Sequence, residues 1–317
     1  MLSGQTSHPL KRFVLGGAQL GLRYGVTNSQ MFDRRAAIAV VEAALDRGIE
    51  CIDTAHAYGE SEEVIGEVLQ RRNVDPIRTV VTKIDPLDGC NLRDVELVRK
   101  RLWSSIEASR TRLQADQLGT VLLHREGLLD EGFPWIIDTM VEARDRGLLT
   151  GIGVSVSNPD GLQRALENSA IMHVQLPFNI LDDRWPLADI PDRITVHCRS
   201  IFLQGALLDN ANLLPMAGPV LSEMAFRVVD ELVASLDYRT RLDLLLDFVK
   251  SHQRINGVVV GAVVKKQLDE ILDSWFLGRR LSADQITSIR SRFAGLPNAT
   301  LDPSRWVVQN GGSQQPR

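Results

Sequence analysis

Eight short apolar, β-branched runs recur along this chain, each followed by a longer segment of helical period. That alternation narrows the fold more than any other feature. The runs are Phe13–Leu15, Ile49–Ile52, Thr79–Thr82, Thr120–Leu123, Gly151–Val154, Ile171–Leu176, Ile194–His197 and Ile255–Val260. Arg34–Arg47 is a representative intervening segment, with Ala37, Ile38, Val41, Ala44 and Leu45 on one face and Gly48 as a C-terminal stop. Asp94–Leu113, Pro134–Arg146 and Phe226–Lys250 follow the same pattern. Strand and helix in strict alternation predict an α/β fold, a closed (β/α)8 (TIM) barrel of eight parallel strands rather than an open doubly wound sheet. The runs are near-continuously apolar, as parallel strands covered on both faces must be. A chain of 317 residues suits one such barrel, and no Gly/Ser/Pro-rich linker divides it. We therefore expect a single domain over 13–307 that includes a C-terminal helical segment at Ser282–Phe293. An N-terminal extension, 1–12, precedes it, and a polar Gly/Gln-rich tail, 308–317, is expected to fray.

Charge and composition exclude several classes. The 36 basic and 40 acidic residues give a net charge of −4, which offers no attraction for nucleic acid or an anionic membrane. No apolar run approaches the ~20 residues of a membrane span, and the first residues lack the apolar core of a signal peptide. Cys51, Cys90 and Cys198 are odd in number and form no C-x-x-C pair, so neither a disulfide framework nor a zinc site is expected. Cys51 and Cys198 read as small core hydrophobes. No metal is expected, since His56, His173, His197 and His252 have no ligand spacing, and the default location is cytoplasmic.

In a barrel of this kind chemistry sits where strands end. The polar residues there are Asp53 and Tyr58 after run two, Lys83 after run three and His124 after run four. A lysine ending a buried strand needs a counter-charge, and Asp53 on the neighbouring strand is the natural one. A cation beside a phenol stabilises phenolate, so Lys83 is expected to lower the pKa of Tyr58 and let it protonate a developing alkoxide. His124 can orient a carbonyl oxygen. No side chain donates hydride, so such chemistry needs a nicotinamide cofactor.

These residues resemble the aldo-keto reductase family. The run Asp53-Thr54-Ala55-His56-Ala57-Tyr58-Gly59-Glu60-Ser61-Glu62 is similar to its D-x-A-x-x-Y-G-x-S/N-E signature, and Lys83 and His124 stand where its catalytic lysine and histidine would be. The resemblance runs from about Phe13 to Trp275, with Gly16–Gly21 at its start. It implies an NAD(P)-dependent reductase of an aldehyde, ketone or sugar-like carbonyl. Tyr58 would be the general acid, Lys83 its modulator, Asp53 the holder of Lys83 and His124 the orienting group. On the cofactor side it implicates Gly17, Ala18, Gln19, Asp53, Ser155, Gln175, Arg199, Ser200, Phe202, Gly205, Gly261, Gln267 and Glu270. Ser155 and Gln175 would meet the nicotinamide carboxamide, and Glu270 the adenine amino group. The chain departs from the family pattern with Val156 and Ile271 where asparagine is usual, and with Arg199 where an aromatic often stacks on the nicotinamide. NADP is the expected cofactor, with NAD as the alternative. Lys265 and Lys266 could reach a 2′-phosphate, but Gly261, Ala262 and Gln267 replace the usual phosphate clamp.

Two other readings stay open. The same barrel could serve as a nucleotide sensor that signals without turnover, or as a lyase forming a Schiff base on Lys83. Taken singly, Asp53 with Lys83 reads as a buried salt bridge, and Tyr58 and His124 as satisfied core residues. Their convergence on one rim argues for chemistry. His56 could line the mouth, and Trp185 could wall a substrate pocket. Substrate choice would rest with Arg23–Phe32, Arg125–Phe133, Gln204–Pro219 and the chain after Gly278. Arg23, Tyr24, Arg125 and Trp306 are candidate pocket residues there. A small carbonyl compound is the expected partner, and nothing in the sequence sets the oligomeric state.

Overall fold

The computed structural model describes residues 10–22, 32–182, 184–208 and 218–301. Eight strands close into one parallel barrel in sequential order: β1 (Phe13–Gly16), β2 (Cys51–Asp53), β3 (Val80–Lys83), β4 (Leu118–Leu123), β5 (Leu149–Ser155), β6 (His173–Pro177), β7 (Thr195–Arg199) and β8 (Gly257–Gly261). Closure is made by β8 against β1, with Phe13 opposite Val258 and Gly16 opposite Gly261. The helices are α1 (Arg34–Asp46), α2 (Ser61–Arg72), α3 (Pro76–Thr79), α4 (Val95–Leu113), α5 (Pro134–Asp145), α6 (Pro159–Glu167), α7 (Gly218–Ser235), α8 (Arg241–Lys250), α9 (Lys265–Leu277), α10 (Ala283–Phe293) and α11 (Asn298–Leu301). The expected barrel is therefore the one found.

The core lies between strands and helices. Val174, Leu176, Val196 and Cys198 are wholly buried, while their alternating neighbours His173, Gln175, His197 and Arg199 carry polar groups. Alternation on a strand turns the second set into the barrel. The bond from Gln175 on β6 to Asp53 on β2, two strands that are not neighbours, crosses that interior. Helix ends are fixed locally. Asp33 caps α1 through its carboxylate, Asp94 caps α4, and Ser282 with Gln285 forms a capping box on α10. The predicted helix at Ser282–Phe293 is thus present.

Two boundaries differ from the sequence reading. Phe226–Lys250 is not one helix, because the chain breaks between α7 and α8. Asp237 adopts a left-handed φ of 55° there, and Thr240 starts the second helix by accepting from Asp243 N. Several strands also run one or two residues further than their apolar runs. Asp53, Lys83, Ser155, Arg199 and Gly261 are accordingly the last residues of strands, not the first of loops. This stiffens the rim, since each is held by the parallel ladder. Trp185 is buried, and its Nε1 donates to Asp182 Oδ2 at 3.0 Å. Arg23, Tyr24 and Trp306, the N-terminal residues 1–9 and the tail 308–317 lie outside the described residues, as do most of Arg23–Phe32 and part of Gln204–Pro219. No described helix is long and apolar enough to cross a membrane.

Candidate active site

Asp53 and Lys83 end adjacent strands and meet inside the barrel. Lys83 Nζ donates to both carboxylate oxygens of Asp53 at 2.8 Å and to the Thr54 carbonyl at 2.9 Å, with both side chains buried. Gln175 Nε2 donates to Asp53 Oδ1 at 2.6 Å. The carboxylate is thus saturated by donors, which is what lets a buried ion pair persist. Tyr58 sits on the turn beyond β2, where Tyr58 N donates to the Ala55 carbonyl and Ser61 N to the Tyr58 carbonyl. Lys83 Nζ lies 5.1 Å from the Tyr58 ring centre. The His124 ring stands edge-on to the phenol at 5.9 Å and 84°. The four residues picked from the sequence therefore converge.

The turn that carries Tyr58 depends on two glycines. Gly59 has a φ of +55°, and a Cβ at Gly21 would lie 1.9 Å from the Tyr58 carbonyl, so the loop after β1 can press on this turn only as glycine. Beneath it lies a brace. Ser61 Oγ donates to the Gly17 carbonyl at 2.8 Å and shares a 2.8 Å hydrogen bond with Thr54 Oγ1. Glu62, wholly buried, accepts from Thr82 Oγ1 at 2.6 Å and from Arg112 Nη1 at 3.4 Å. Arg112 Nη1 also donates to the His56 carbonyl, so His56 belongs to this brace. Thr82 and Arg112 escaped the sequence reading because a lone threonine in a strand and an arginine on a helix carry no spacing signal.

Electrostatics correct one expectation. Burial is the largest influence on the Tyr58 phenol and pushes its pKa up. Asp53 adds to that rise and Arg199 opposes it. The downward pull expected from Lys83 is outweighed, so Tyr58 is a protonated phenol at neutral pH. Burial also pulls His124 down to about 3, followed by Lys83, Arg125 and Arg199. Its imidazole is therefore neutral, and its buried Nδ1 has no hydrogen-bond partner among the described residues.

The remaining implicated residues follow the rim from β5 to β8 and back to β1. Ser155 lies in register with Gln175, and the apolar Val156 is buried beside them. Gly17 N donates to the Asp53 carbonyl at 2.7 Å. The Gln19 amide fills the space in front of Gly261, where a Cβ would come within 2.1 Å of Gln19 Oε1. After Arg199 the chain runs through left-handed backbone at Ser200, Leu203 and Gln204, a concentration of strained residues that points to a functional loop. Ala18 is buried, and Phe202 and Gly205 are half-buried. Gln267 Oε1 accepts from Val263 N at 2.8 Å. Glu270 stands apart from the four converging residues, exposed on α9 and 3.8 Å from Lys266. Lys265 pairs with Asp269 at 2.7 Å.

These residues fit a nicotinamide dinucleotide in one specific respect. Gln175 is fully buried with its Nε2 spent on Asp53, yet its Oε1 has no partner. A buried orphan acceptor next to a serine hydroxyl suits an amide N–H. Among the described residues no group of His, Cys, Asp and Glu could hold a metal ion.

A second pair of titratable groups is buried in the barrel. The rings of His173 and His197 lie 4.2 Å apart inside the barrel, with His173 Nε2 and His197 Nδ1 unpartnered. Burial pulls His197 down to about 4 and His173 well below the usual range. A Cβ at Gly257 would lie 2.4 Å from the His197 ring, so glycine makes the room.

Comparison with known proteins gives the family and the fold. A family model described as the aldo/keto reductase family matches residues 12–292. An uncharacterized oxidoreductase, YqkF, of Bacillus subtilis is 24% identical over 275 residues, covering 82% of this chain and 88% of the relative. The solved glycerol dehydrogenase AKR11B4 from Gluconobacter oxydans superposes with a TM-score of 0.68 at 22% identity, covering 92% of this chain and 93% of the other. The aldo-keto reductase AKR11C1 from Bacillus halodurans gives 0.69 at 21% identity, over 89% and 91% of the two chains. At such identities the structural likeness speaks for the barrel alone.

Proposed function

The chain belongs to the aldo/keto reductase family, and from that premise we propose that it reduces a small aldehyde, ketone or sugar-like carbonyl to the alcohol. One observation carries the reading: a protonated phenol, Tyr58, stands 5.1 Å from a lysine locked to a buried carboxylate and 5.9 Å from a neutral imidazole. The bound dinucleotide supplies the hydride; NADP is proposed, with NAD as the alternative. Tyr58 gives its proton to the oxygen that becomes the alcohol. Lys83 steadies the phenolate that remains, and Asp53 keeps Lys83 charged and in place. His124, neutral at working pH, donates a hydrogen bond that orients the carbonyl oxygen. Ser155 and Gln175 hold the carboxamide through the acceptor left open on Gln175. Gly17, Ala18, Gln19, Arg199, Ser200, Phe202, Gly205 and Gly261 line the remaining cofactor path, with Gln267 and Glu270 at its adenosine end. We propose the stretch 13–307 as the one catalytic domain, working in the cytoplasm.

A Schiff-base role for Lys83 is disfavoured, because both oxygens of Asp53 hold it as a cation. The test is loss of absorbance at 340 nm with NADPH and with NADH across aldehydes, diketones and sugars. Turnover on any of them supports the reading and identifies the cofactor. Tight nucleotide binding with no turnover would replace it with a sensor.

A further inference from the structure

Arg199 carries a charge that no carboxylate among the described residues answers. It is half-buried at the end of β7. Its Nη1 donates to Ser200 Oγ and its Nη2 to the Val156 carbonyl, each at 3.3 Å, the long end of a hydrogen bond. A guanidinium has five N–H donors in a planar fork, so these two bonds leave most of its capacity unused. No carboxylate among the described residues makes an ion pair with it, and three acids elsewhere on the barrel mouth are engaged. Glu126 accepts from Ser157 and Asn158, Asp88 from Arg125, and Asp53 from Lys83 and Gln175. A cation drawn partly out of water without an anion is costly, so a site of this kind is completed by one.

The direction of the side chain says where that anion would sit. Arg199 pairs with Pro177 of β6 in the ladder, yet its Nη2 reaches the carbonyl of Val156, just past β5. The guanidinium therefore spans the end of β6 and lies across the barrel mouth, on the side of Ser155 and Gln175. Its charge acts on both Tyr58 and His124, the two groups proposed to meet the carbonyl oxygen.

We infer that Arg199, besides lining the cofactor path, receives an anionic group of the substrate, which makes this a pocket for carbonyl compounds bearing a carboxylate close to the carbonyl carbon. The inference rests on the reductase reading and narrows its substrate class. A carboxylate fits the planar fork through two parallel N–H···O bonds, a geometry that lysine cannot reproduce. A phosphate oxygen of the dinucleotide has the same chemistry, so the experiment must separate the two sources.

The experiment compares kcat/KM for 2-carboxybenzaldehyde and benzaldehyde with NADPH in the wild type, Arg199→Lys and Arg199→Gln. Any loss common to both aldehydes cancels in the ratio. The wild type should prefer the carboxylated aldehyde by roughly 30- to 100-fold, the scale of a charge-assisted bidentate contact. Arg199→Gln should bring the ratio close to one through KM, and Arg199→Lys should keep part of it. Two binding measurements accompany the kinetics: NADPH affinity by fluorescence quenching, and benzoate binding to the protein–NADP+ complex by calorimetry. Benzoate binding lost in Arg199→Gln supports the anion site even where neither aldehyde turns over, an outcome that would sink the reductase reading instead. An unchanged aldehyde ratio overturns the inference. So does a tenfold loss of NADPH affinity with the ratio unaltered, which would give the guanidinium to the cofactor's phosphate.

Discussion

The two halves of the barrel mouth are built differently. From β2 to β4 the charged and bracing side chains are answered by other parts of the protein, while His124 Nδ1 is left open. Lys83 has Asp53 and the Thr54 carbonyl, Glu62 has Thr82 and Arg112, and Ser61 has Gly17. From β5 to β8 polar groups wait for something else: the Gln175 Oε1 is orphaned, and Arg199 lacks a carboxylate among the described residues. We propose that the first half is preorganised around a proton donor, its charges balanced by folding, and that the second half is completed by ligand. A barrel of this family can thus hold its acid–base apparatus constant while the ligand-facing half varies, which is where this chain departs from the family pattern.

Breaking the self-sufficient half should cost most. Lys83→Met leaves Asp53 buried without its cation, and we expect a stability loss of about 3–5 kcal/mol in urea unfolding together with the collapse of turnover. The double variant Asp53→Asn, Lys83→Met should recover much of the stability and none of the activity. If Lys83→Met unfolds like the wild type, the pair is not the anchor of this half.

Acid should act next, in smaller steps for each histidine buried in neutral form. His124 is held at about 3, and His197 and His252 at about 4, chiefly by burial. Their unfolded value is near 6.5, so between about pH 6.5 and pH 4 the unfolded chain binds more protons than the folded one. Stability is then full above pH 6.5 and falls as pH drops, by about 1 kcal/mol per pH unit for each histidine. A denaturation midpoint that is flat from pH 7 to pH 4.5 would contradict this.

Smaller effects belong to the interior and to the ligand-facing half. Gly257→Ala drives a Cβ against the His197 ring, and overpacking of that kind should cost about 1–3 kcal/mol in thermal unfolding. Ser155→Ala should leave stability alone and weaken NADPH binding about fivefold, the worth of one hydrogen bond. If Ser155→Ala instead destabilised the fold as much as Lys83→Met, the contrast between the halves would be lost.

The same contrast explains what the sequence disclosed. The barrel was legible because eight apolar runs alternate with amphipathic segments, and Asp53, Lys83 and His124 because each follows such a run directly, with Tyr58 five residues on from Asp53. The α7–α8 break was hidden, since an Asp237 in left-handed backbone and a Thr240 cap leave the apolar periodicity nearly uninterrupted. The rise of the Tyr58 pKa was also hidden. It depends on how completely the ring is buried, and no spacing encodes that. The brace of Thr82, Glu62 and Arg112 joins three elements distant in sequence, so only the folded chain brings it together.

The central claim is that Tyr58 is the proton donor of a half-site folded before any ligand arrives. Single-turnover oxidation of NADPH by a carbonyl substrate of the wild type, carried out on Tyr58→Phe beside far-UV circular dichroism and NADPH titration, is the decisive measurement. A rate lowered by about 10²–10⁴ is expected, with fold and nucleotide affinity unchanged. A rate near that of the wild type would contradict it.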